Sequence, residues 1–297
     1  MEDETSMPNQ PARPTLRRRR LGEALRKFRN QTGMSLEQAA ETIGWDRTRL
    51  SKVELAKGHI SAAGAAKLLS AYGVDAPDVL AAIEALARDA GKRGWWKNYG
   101  DVVDELTKDY LSLETDAEST RICSPNLIPG LFQTGAYARE IIAAGSFWRP
   151  IDEVNAFAEV RKARQAVLTA KRDGGRPPLS FWAVIHEAVL HQRFPSQPTL
   201  MREQLRHLLD MSDLPNITIQ VMPMAMVPNP AMMGLFEVVR FPAPWPTVVL
   251  VENLVGGQFV EGTEHVDIYE QAFERVVATA LPVADSREII KRIMEKD

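Results

Sequence analysis

This sequence has a single cysteine, no long apolar run and a formal net charge of only −3. The lone Cys123 excludes an intramolecular disulfide and is typical of a protein in a reducing compartment. No apolar run approaches the roughly 20 residues that a membrane-spanning helix needs. The N-terminus also lacks the apolar segment of a signal peptide. We therefore expect a cytoplasmic protein that does not bind a membrane.

The familiar catalytic and metal-binding motifs are also missing. There is no G-x-S-x-G nucleophile elbow, no P-loop and no G-x-G-x-x-G dinucleotide motif. His186, Glu187 and His191 suggest a zinc-binding helix, but histidines five residues apart lie about 140° apart around a helix. Cys123 has no motif-placed histidine, so a small buried residue is a better interpretation than a nucleophile. The sequence therefore predicts no enzyme, no catalytic residues, no metal and no cofactor.

Positive charge is concentrated near the N-terminus. The stretch from Arg13 to Ile60 contains 12 Lys/Arg and 5 Asp/Glu, whereas Ser61 to Asp297 contains 24 Lys/Arg and 31 Asp/Glu. This separation indicates one domain that contacts phosphates and another with a different partner. A length of 297 residues also favours two domains.

The stretch from residue 35 to residue 54 has the pattern of two short helices joined by a tight turn. Ser35 and Gln38 form a capping box at the first helix. Four apolar residues then recur at helical spacing: Leu36, Ala39, Ala40 and Ile43. Gly44 suits a turn that needs positive φ, and Asp46 suits the cap of the second helix.

The second of these helices is short, basic and poor in apolar residues. Only Leu50 and Val53 are available to face a core. A helix of this composition indicates contact with DNA. The full set of expected DNA contacts in this stretch is Arg47, Thr48, Arg49, Ser51, Lys52 and, at the start of the preceding helix, Ser35.

Three flanking helices complete the N-terminal pattern, one through Leu21, one from Ser61 and one near Pro77. Residues 21–74 resemble the Xre/Cro/C1-type, phage-repressor-like family. The resemblance lies in the run GWDRTRLSKVE at 44–54 and in Gly58 after it. It implies an all-α five-helix helix-turn-helix domain, which we place at residues 21–90. It also implies that Arg47, Thr48 and Lys52, at the first, second and sixth positions of the recognition helix, face base edges. The expected partners are a double-stranded DNA operator and a second copy of the chain.

Residues 1–20 are predicted to form a disordered, basic arm, because residues 1–14 are polar and proline-rich. The run Arg17, Arg18, Arg19 and Arg20 has two interpretations. It is either a solvated run that leads into the first helix or an arm that contacts phosphates or a minor groove. Residues 91–110 are predicted to be a linker, with Trp95 and Trp96 packed where it meets the second domain.

Residues 111–297 alternate helix and strand patterns, which predicts a larger α+β domain with a mixed sheet. This part resembles the domain of unknown function that follows an Xre-type domain in a group of actinobacterial regulators. The segments that carry the resemblance are LIPGLFQTGAYAR (127–139), Arg161, Arg164 and Gln165, HEAVL (186–190), QLRHLL (204–209), ITIQVMP (217–223), Gly234, Phe236 and VVLVEN (248–253). It implies a transcriptional regulator, often encoded beside a small companion protein, and no defined chemistry.

Two charged residues of the second domain lie in apolar surroundings. Arg161 shares a predicted helix face with apolar residues, and Glu252 follows a run of valines. Such charges need a buried partner or a ligand. One interpretation is an internal ion pair of Arg161 or Arg164 with Glu187 or Glu252. The other is a pocket for an effector or a partner peptide, formed by Arg161, Arg164, Gln165, Glu187 and Glu252.

The sequence therefore predicts a sequence-specific DNA-binding transcriptional regulator. Its C-terminal domain is expected to bind a small effector or a companion protein and to support dimerisation. One alternative is an antitoxin-like protein that neutralises a small partner encoded by an adjacent gene. Another is an enzyme fused to a DNA-binding domain.

Overall fold

The structure is a computed structural model that describes residues 15–89, 95–96, 99, 103–172, 175–225, 227–254 and 256–296. The chain divides into two compact units, Met1–Lys92 and Arg93–Asp297. The first is helical and the second combines helices with a mixed sheet, so the predicted fold class is confirmed. No helix of the described ranges is long and apolar enough to cross a membrane.

Five helices form the described part of the first unit: α1 Leu16–Gln31, α2 Leu36–Thr42, α3 Arg47–Glu54, α4 Ala62–Ala71 and α5 Pro77–Asp89. The first four are capped by the residues just before them, Thr15, Ser35, Asp46 and Ser61, and each of these side chains accepts a hydrogen bond from the backbone N–H three residues later. Such caps satisfy N–H groups that have no partner within the helix. Gly44, at φ +70°, provides the turn between α2 and α3.

The core of this unit lies between α1, α3 and α4. Its apolar centre is fully buried and includes Leu25, Leu50, Leu68 and Leu69. Helices α1 and α3 approach closely at Gly22, where an added Cβ would lie 2.6 Å from the carbonyl oxygen of Glu54. The same two helices share a buried ion pair, in which Arg29 Nε lies 2.7 Å from Glu54 Oε1.

The predicted arm at residues 1–20 needs correction, because α1 already begins at Leu16. Arg17, Arg18 and Arg19 are partly buried in this helix, and Arg20 is only 1% exposed. Burial removes Arg20 from the predicted DNA contacts. The cap at Thr15 explains why the helix starts before the arginine run. The rest of the predicted arm, residues 1–14, lies outside the described residues.

The second unit contains seven helices and six strands in its described part. In chain order they are α6 Glu105–Asp116, β1 Ser119–Ser124, α7 Gly135–Gly145, α8 Ile151–Arg164, β2 Ser180–His186, α9 Glu187–Leu190, α10 Leu200–Met211, β3 Ile217–Met222, β4 Phe236–Arg240, β5 Val248–Asn253, β6 Gly256–Val260, α11 Thr263–Thr279 and α12 Val283–Lys296. Short 3-10 turns lie at Gly130–Phe132, Gln165–Leu168 and Pro230–Met233.

The predicted linker at 91–110 is also too long, since α6 starts at Glu105 behind an Asp104 cap. The Asp104 carboxylate accepts the Thr107 N–H at 2.7 Å. Trp96 packs in a cluster with Leu111 and Val160, as the sequence predicts for the start of the second domain. Residues 90–94, 97–98 and 100–102 of this region lie outside the described residues.

The sheet has the strand order β3-β2-β1-β4-β5-β6. Strands β1, β2 and β3 are parallel, and β4, β5 and β6 add antiparallel pairs. Helix α11 covers one face, where Cys123, Val184, Val238 and Phe273 belong to one apolar cluster. Because successive strand residues point to opposite faces, Ile122 and its register partner Glu237 lie on the other face. That other face carries the charged groups described below.

Candidate functional site

The third helix of the first unit divides into a buried side and an exposed side. Leu50 and Val53 are buried, whereas Arg47, Thr48 and Lys52 are exposed. This is the division expected of a helix that packs by one face and leaves the other free for a ligand. The structure therefore places the three predicted base-contacting residues on one accessible surface.

Arg49 and Ser51 have a more constrained position than those three residues. The guanidinium of Arg49 lies 4.0 Å from the centroid of the Trp45 ring, a favourable cation–π contact. Trp45 belongs to the turn before α3, so the turn itself orients this cation. Ser51 is partly buried and lies nearer the core.

Ser35 is exposed, and its hydroxyl and backbone N–H both form hydrogen bonds within the cap of α2. Its Oγ accepts the Gln38 N–H at 3.2 Å, and the Ser35 N–H donates to Gln38 Oε1 at 2.9 Å. This is a complete capping box, which stabilises the start of α2. Contact of Ser35 with a DNA phosphate stays a prediction.

The second unit contains a cavity of about 400 Å³ between α6, α7, α8 and the β5–β6 hairpin. Arg161, Arg164 and Glu252, three of the five predicted pocket residues, line it. Most of the wall is apolar: Leu106, Leu111, Leu127, Ile141, Ile142, Trp148, Phe157, Val160, Leu250 and Leu254. A concave, largely apolar site with a few polar groups is the usual form of a small-molecule site.

The other two predicted pocket residues lie elsewhere. Gln165 donates to the carbonyl oxygen of Gln133 at 2.6 Å, a contact that joins two segments of the fold. Glu187 accepts the Met224 N–H at 3.0 Å and lies 3.7 Å from His191. It borders a separate depression beside α12. Neither residue lines the cavity, and each is held by a hydrogen bond to the backbone of a distant segment.

The histidines that suggested a zinc site have local structural positions. His186 Nδ1 accepts the Ala188 N–H at 3.1 Å and thereby caps the short helix α9. His191 follows the end of the same helix. Across the residues that the structure describes, no group of three potential metal ligands comes together.

Arg164 is held by a buried polar cluster beneath the cavity. Its Nη2 lies 2.6 Å from Glu114 Oε2 and donates to the Tyr110 hydroxyl at 2.5 Å. Tyr110 in turn donates to Glu237 Oε2 at 3.0 Å. Burial lowers the pKa of Arg164, but Glu114 and Tyr110 raise it by more, so the net direction is upward. The predicted pairing of Arg164 with Glu187 or Glu252 is therefore wrong, because Glu114 of α6 takes that place.

Glu237 is a carboxyl group in surroundings that favour its neutral form. It is 4% exposed. Burial, together with the charges of Glu114 and Glu252, raises the pKa of Glu237 from 4.5 to about 8, although Arg164 opposes the shift. At neutral pH Glu237 is therefore mainly protonated.

Arg161 is partly buried, lines the cavity and has no carboxylate partner within the described ranges. Its Nη1 donates to the side-chain oxygen of Gln133, which is itself buried. Burial and the neighbouring Arg164 lower the pKa of Arg161 to about 10, against the opposing effect of Glu252. Arg161 therefore remains charged at neutral pH. The predicted ion pair of Arg161 with Glu187 or Glu252 is not formed.

Glu252 departs from its expected environment. The valine run suggested a buried carboxylate, but the side chain is exposed at the wall of the cavity. The reason is its place near the end of β5, where it pairs in register with Gly257 of the edge strand β6. Glycine offers no side chain to cover it.

Family models match both parts of the chain. Residues 20–83 match a family model described as a helix-turn-helix domain. Residues 107–292 match the domain of unknown function DUF5753. This chain belongs to the DUF5753 family. The DUF5753 match includes Arg161, Arg164 and Glu252, and the helix-turn-helix match includes all of α3. Comparison with curated proteins and with solved structures finds no match to the chain.

These matches support the coarse functional prediction. The N-terminal unit is a helix-turn-helix domain, the type of domain by which many transcription regulators bind DNA. It is joined to a DUF5753 domain whose description assigns no chemistry. The resemblance proposed from the sequence is confirmed at this level.

Sequence reasoning missed three residues that complete the buried cluster of the DUF5753 domain: Tyr110, Glu114 and Glu237. One signal was available. Glu237 stands between apolar residues in the segment FEVVR, so a strand buried on both faces forces its carboxyl group inward. Tyr110 and Glu114 gave no comparable signal, because polar residues at helical spacing usually face solvent.

Proposed function

We propose that this protein is a sequence-specific transcriptional regulator whose α3 helix contacts bases in the major groove of an operator. The observation that carries the proposal is the exposed set Arg47, Thr48 and Lys52 above the buried Leu50 and Val53. Arginine pairs with guanine through two hydrogen bonds in the major groove, and threonine contacts several base edges. The positive charge of this region supplies the electrostatic attraction to phosphates.

The protein acts as a homodimer in this proposal. One recognition helix contacts too few base pairs for selectivity in a genome, so two half-sites about one helical turn apart are needed. The distribution of exposed apolar side chains supports a dimer contact in the DUF5753 domain. Among the described residues, Leu55 is the only large exposed apolar side chain of the first unit. The described residues of the second unit include ten: Phe147, Trp148, Ile151, Met224, Val227, Met232, Met233, Leu254, Ile268 and Val283.

The DUF5753 cavity binds an effector that changes DNA affinity. Its charged centre and apolar wall support this role. An effector shifts an equilibrium only by its differential affinity for two states, and the typical coupling is about 1–3 kcal/mol. The antitoxin-like alternative places a companion protein in this regulatory role. It predicts a stable complex on co-expression and a companion that is toxic when expressed alone.

A non-enzymatic role is part of the proposal. Cys123, the one thiol, is fully buried, and burial raises its pKa to about 12. A thiol of this kind is neither ionised nor accessible at neutral pH, which opposes a nucleophilic role.

Selection of bound DNA from a random library tests the proposal with the full chain. We expect an enriched sequence made of two related half-sites about one helical turn apart. Recovery of DNA without any enriched sequence would overturn the assignment of α3 as a recognition helix. Light scattering of the free chain tests the dimer, since a monomer at micromolar concentration contradicts it.

A further inference from the structure

We propose that the DUF5753 cavity binds a small amphipathic carboxylate, which pairs with Arg161 and lays its apolar body against the cavity wall. This inference rests on the proposed effector role of the cavity and is independent of the DNA sequence that α3 contacts. Three features carry it: a balance of charges, the position of the Arg161 guanidinium, and the chemistry of the wall.

Among the described residues that line the cavity, Arg161 is the one cation that forms no ion pair. Arg164 is neutralised by Glu114 in an ion pair of 2.6 Å. Glu237 is mainly protonated at neutral pH and contributes little charge. Arg161 is therefore the remaining cation, and its hydrogen-bond partner is the neutral side-chain amide of Gln133. A cation taken from water without a counterion is costly, so a single negative charge in the cavity lowers the free energy.

Glu252 does not serve as the ion-pair partner of Arg161. It lines the cavity and affects Arg161 through its charge, but its side chain is exposed to water. The ion pairs found among the described residues join Glu252 to no arginine. Arg149 at the same cavity is already neutralised by Glu153 at 2.9 Å and lies over the Phe157 ring at 4.5 Å.

The guanidinium of Arg161 is held in place before any ligand binds. Its Nη1 donates to Gln133, and Gln133 Nε2 donates to the carbonyl oxygen of Ile128 at 2.7 Å. Within the described residues, Nε and Nη2 of Arg161 make no hydrogen bond. These two atoms form the pair that binds a carboxylate through two parallel hydrogen bonds. A preorganised fork of this kind favours a planar carboxylate.

The rest of the ligand is inferred from the wall. Leu106, Ile142, Phe157 and Leu250 contribute apolar surface around a volume of about 400 Å³. This volume is within the usual range for a small-molecule site, about 300–1,000 Å³. A ligand with an anionic end and an apolar body satisfies both parts of the cavity.

Isothermal titration of the full chain with three carboxylates tests the inference: acetate, decanoate and 2-naphthoate. Decanamide serves as the uncharged match to decanoate. We expect decanoate or 2-naphthoate to bind at least tenfold more tightly than acetate, and decanoate at least tenfold more tightly than decanamide. Equal affinity for decanoate and decanamide, or no binding of any of the three carboxylates, overturns the inference.

Variants assign the binding to Arg161. Arg161→Gln should weaken binding of the favoured carboxylate at least tenfold, with a smaller loss for Arg161→Lys. Arg149→Gln, at the same cavity but with its own counterion, should bind within about twofold of the unmodified chain. If Arg161→Gln does not fold, the carboxylate-against-amide comparison on the unmodified chain decides the matter. Equal losses for Arg149→Gln and Arg161→Gln contradict the assignment.

Fluorescence anisotropy with the selected DNA keeps this inference separate from the proposed function. Selective DNA binding without any carboxylate binding rejects the ligand class and leaves the DNA-binding role intact. Carboxylate binding without selective DNA binding supports the ligand class and rejects the regulator. A carboxylate that binds and changes operator affinity supports both.

Discussion

Arg164 and Glu114 form a buried ion pair in which Nη2 lies 2.6 Å from Oε2, with side chains that are 12% and 3% exposed. The pair joins the end of α8 to α6 and lies directly beneath the cavity. Within the described part of the chain, the arginine one turn earlier, Arg161, has an amide and no carboxylate as its hydrogen-bond partner. The same helix therefore carries one arginine that stabilises the fold and one that is available to a ligand.

Removal of one partner of this pair should destabilise the second unit strongly. Glu114→Gln leaves Arg164 without its counterion, and we expect a loss of about 3–5 kcal/mol in the free energy of unfolding. The double variant Glu114→Leu with Arg164→Met should lose less stability than the sum of the losses for Glu114→Leu and Arg164→Met measured singly, since no charge is left unpaired. Urea unfolding of the full chain measures both. Glu274→Gln, which breaks the exposed pair with Arg121, is the control and should cost less than about 1 kcal/mol.

The stability of the second unit should fall as pH rises from about 5 to about 8. Glu237 has its pKa raised from 4.5 to about 8 in the folded state, mainly by burial. In that window the folded state holds a proton that the unfolded state has released, so its contribution to stability declines by up to about 1.4 kcal/mol per pH unit. Above pH 8 both states have lost the proton and the slope disappears.

Four charged or titratable groups act on Glu237: Tyr110, Glu114, Arg164 and Glu252. Tyr110 and Arg164 do not titrate in this window, because burial raises the pKa of Tyr110 well above 10 and the pKa of Arg164 is raised as well. Glu237→Gln should flatten the pH dependence of the melting temperature, whereas the exposed Glu288→Gln should leave it unchanged. An identical slope in Glu237→Gln would contradict the protonated state.

The arrangement of elements could be predicted from the sequence to a large extent, because local patterns determine it. The capping box at Ser35, the turn at Gly44 and the cap at Asp46 all occur as predicted. These features depend on residues three or four positions apart. The mixed sheet followed in the same way from short apolar runs with turns between them.

The partners of the charged residues could not be predicted, because they depend on contacts between distant segments. Arg164 meets Glu114 across 50 residues of sequence, and Tyr110 meets Glu237 across 127. Periodicity showed that Arg161 needed a partner but not that it would be Gln133. The exposure of Glu252 depended on Gly257 in the neighbouring strand, which a single run of valines does not reveal.

Gly22→Ala should destabilise the first unit. An added Cβ would lie 2.6 Å from the carbonyl oxygen of Glu54 and 2.8 Å from that of Val53, and backbone atoms cannot move aside cheaply. Overpacking of this kind costs about 1–3 kcal/mol, and the better helix propensity of alanine returns up to about 1 kcal/mol. Thermal unfolding should show a lower midpoint. Gly145→Ala in α7, where nothing lies within 4 Å of the added Cβ, should be neutral or stabilising, and an equal loss there would point to another cause.

Arg47→Ala should weaken operator binding by about 1–3 kcal/mol and relax selectivity at one base pair, since a bidentate contact to guanine is lost. Arg47→Lys keeps the charge but loses the two parallel N–H donors of the guanidinium. It should therefore retain affinity for random DNA while its preference for the operator declines. Lys67→Ala on α4 removes one exposed charge outside the recognition helix and is the matched control. Fluorescence anisotropy with operator and random DNA at the same salt concentration gives the ratio of affinities. If Arg47→Ala and Lys67→Ala reduce both affinities equally, Arg47 contacts only phosphates and the base-facing register of α3 is wrong.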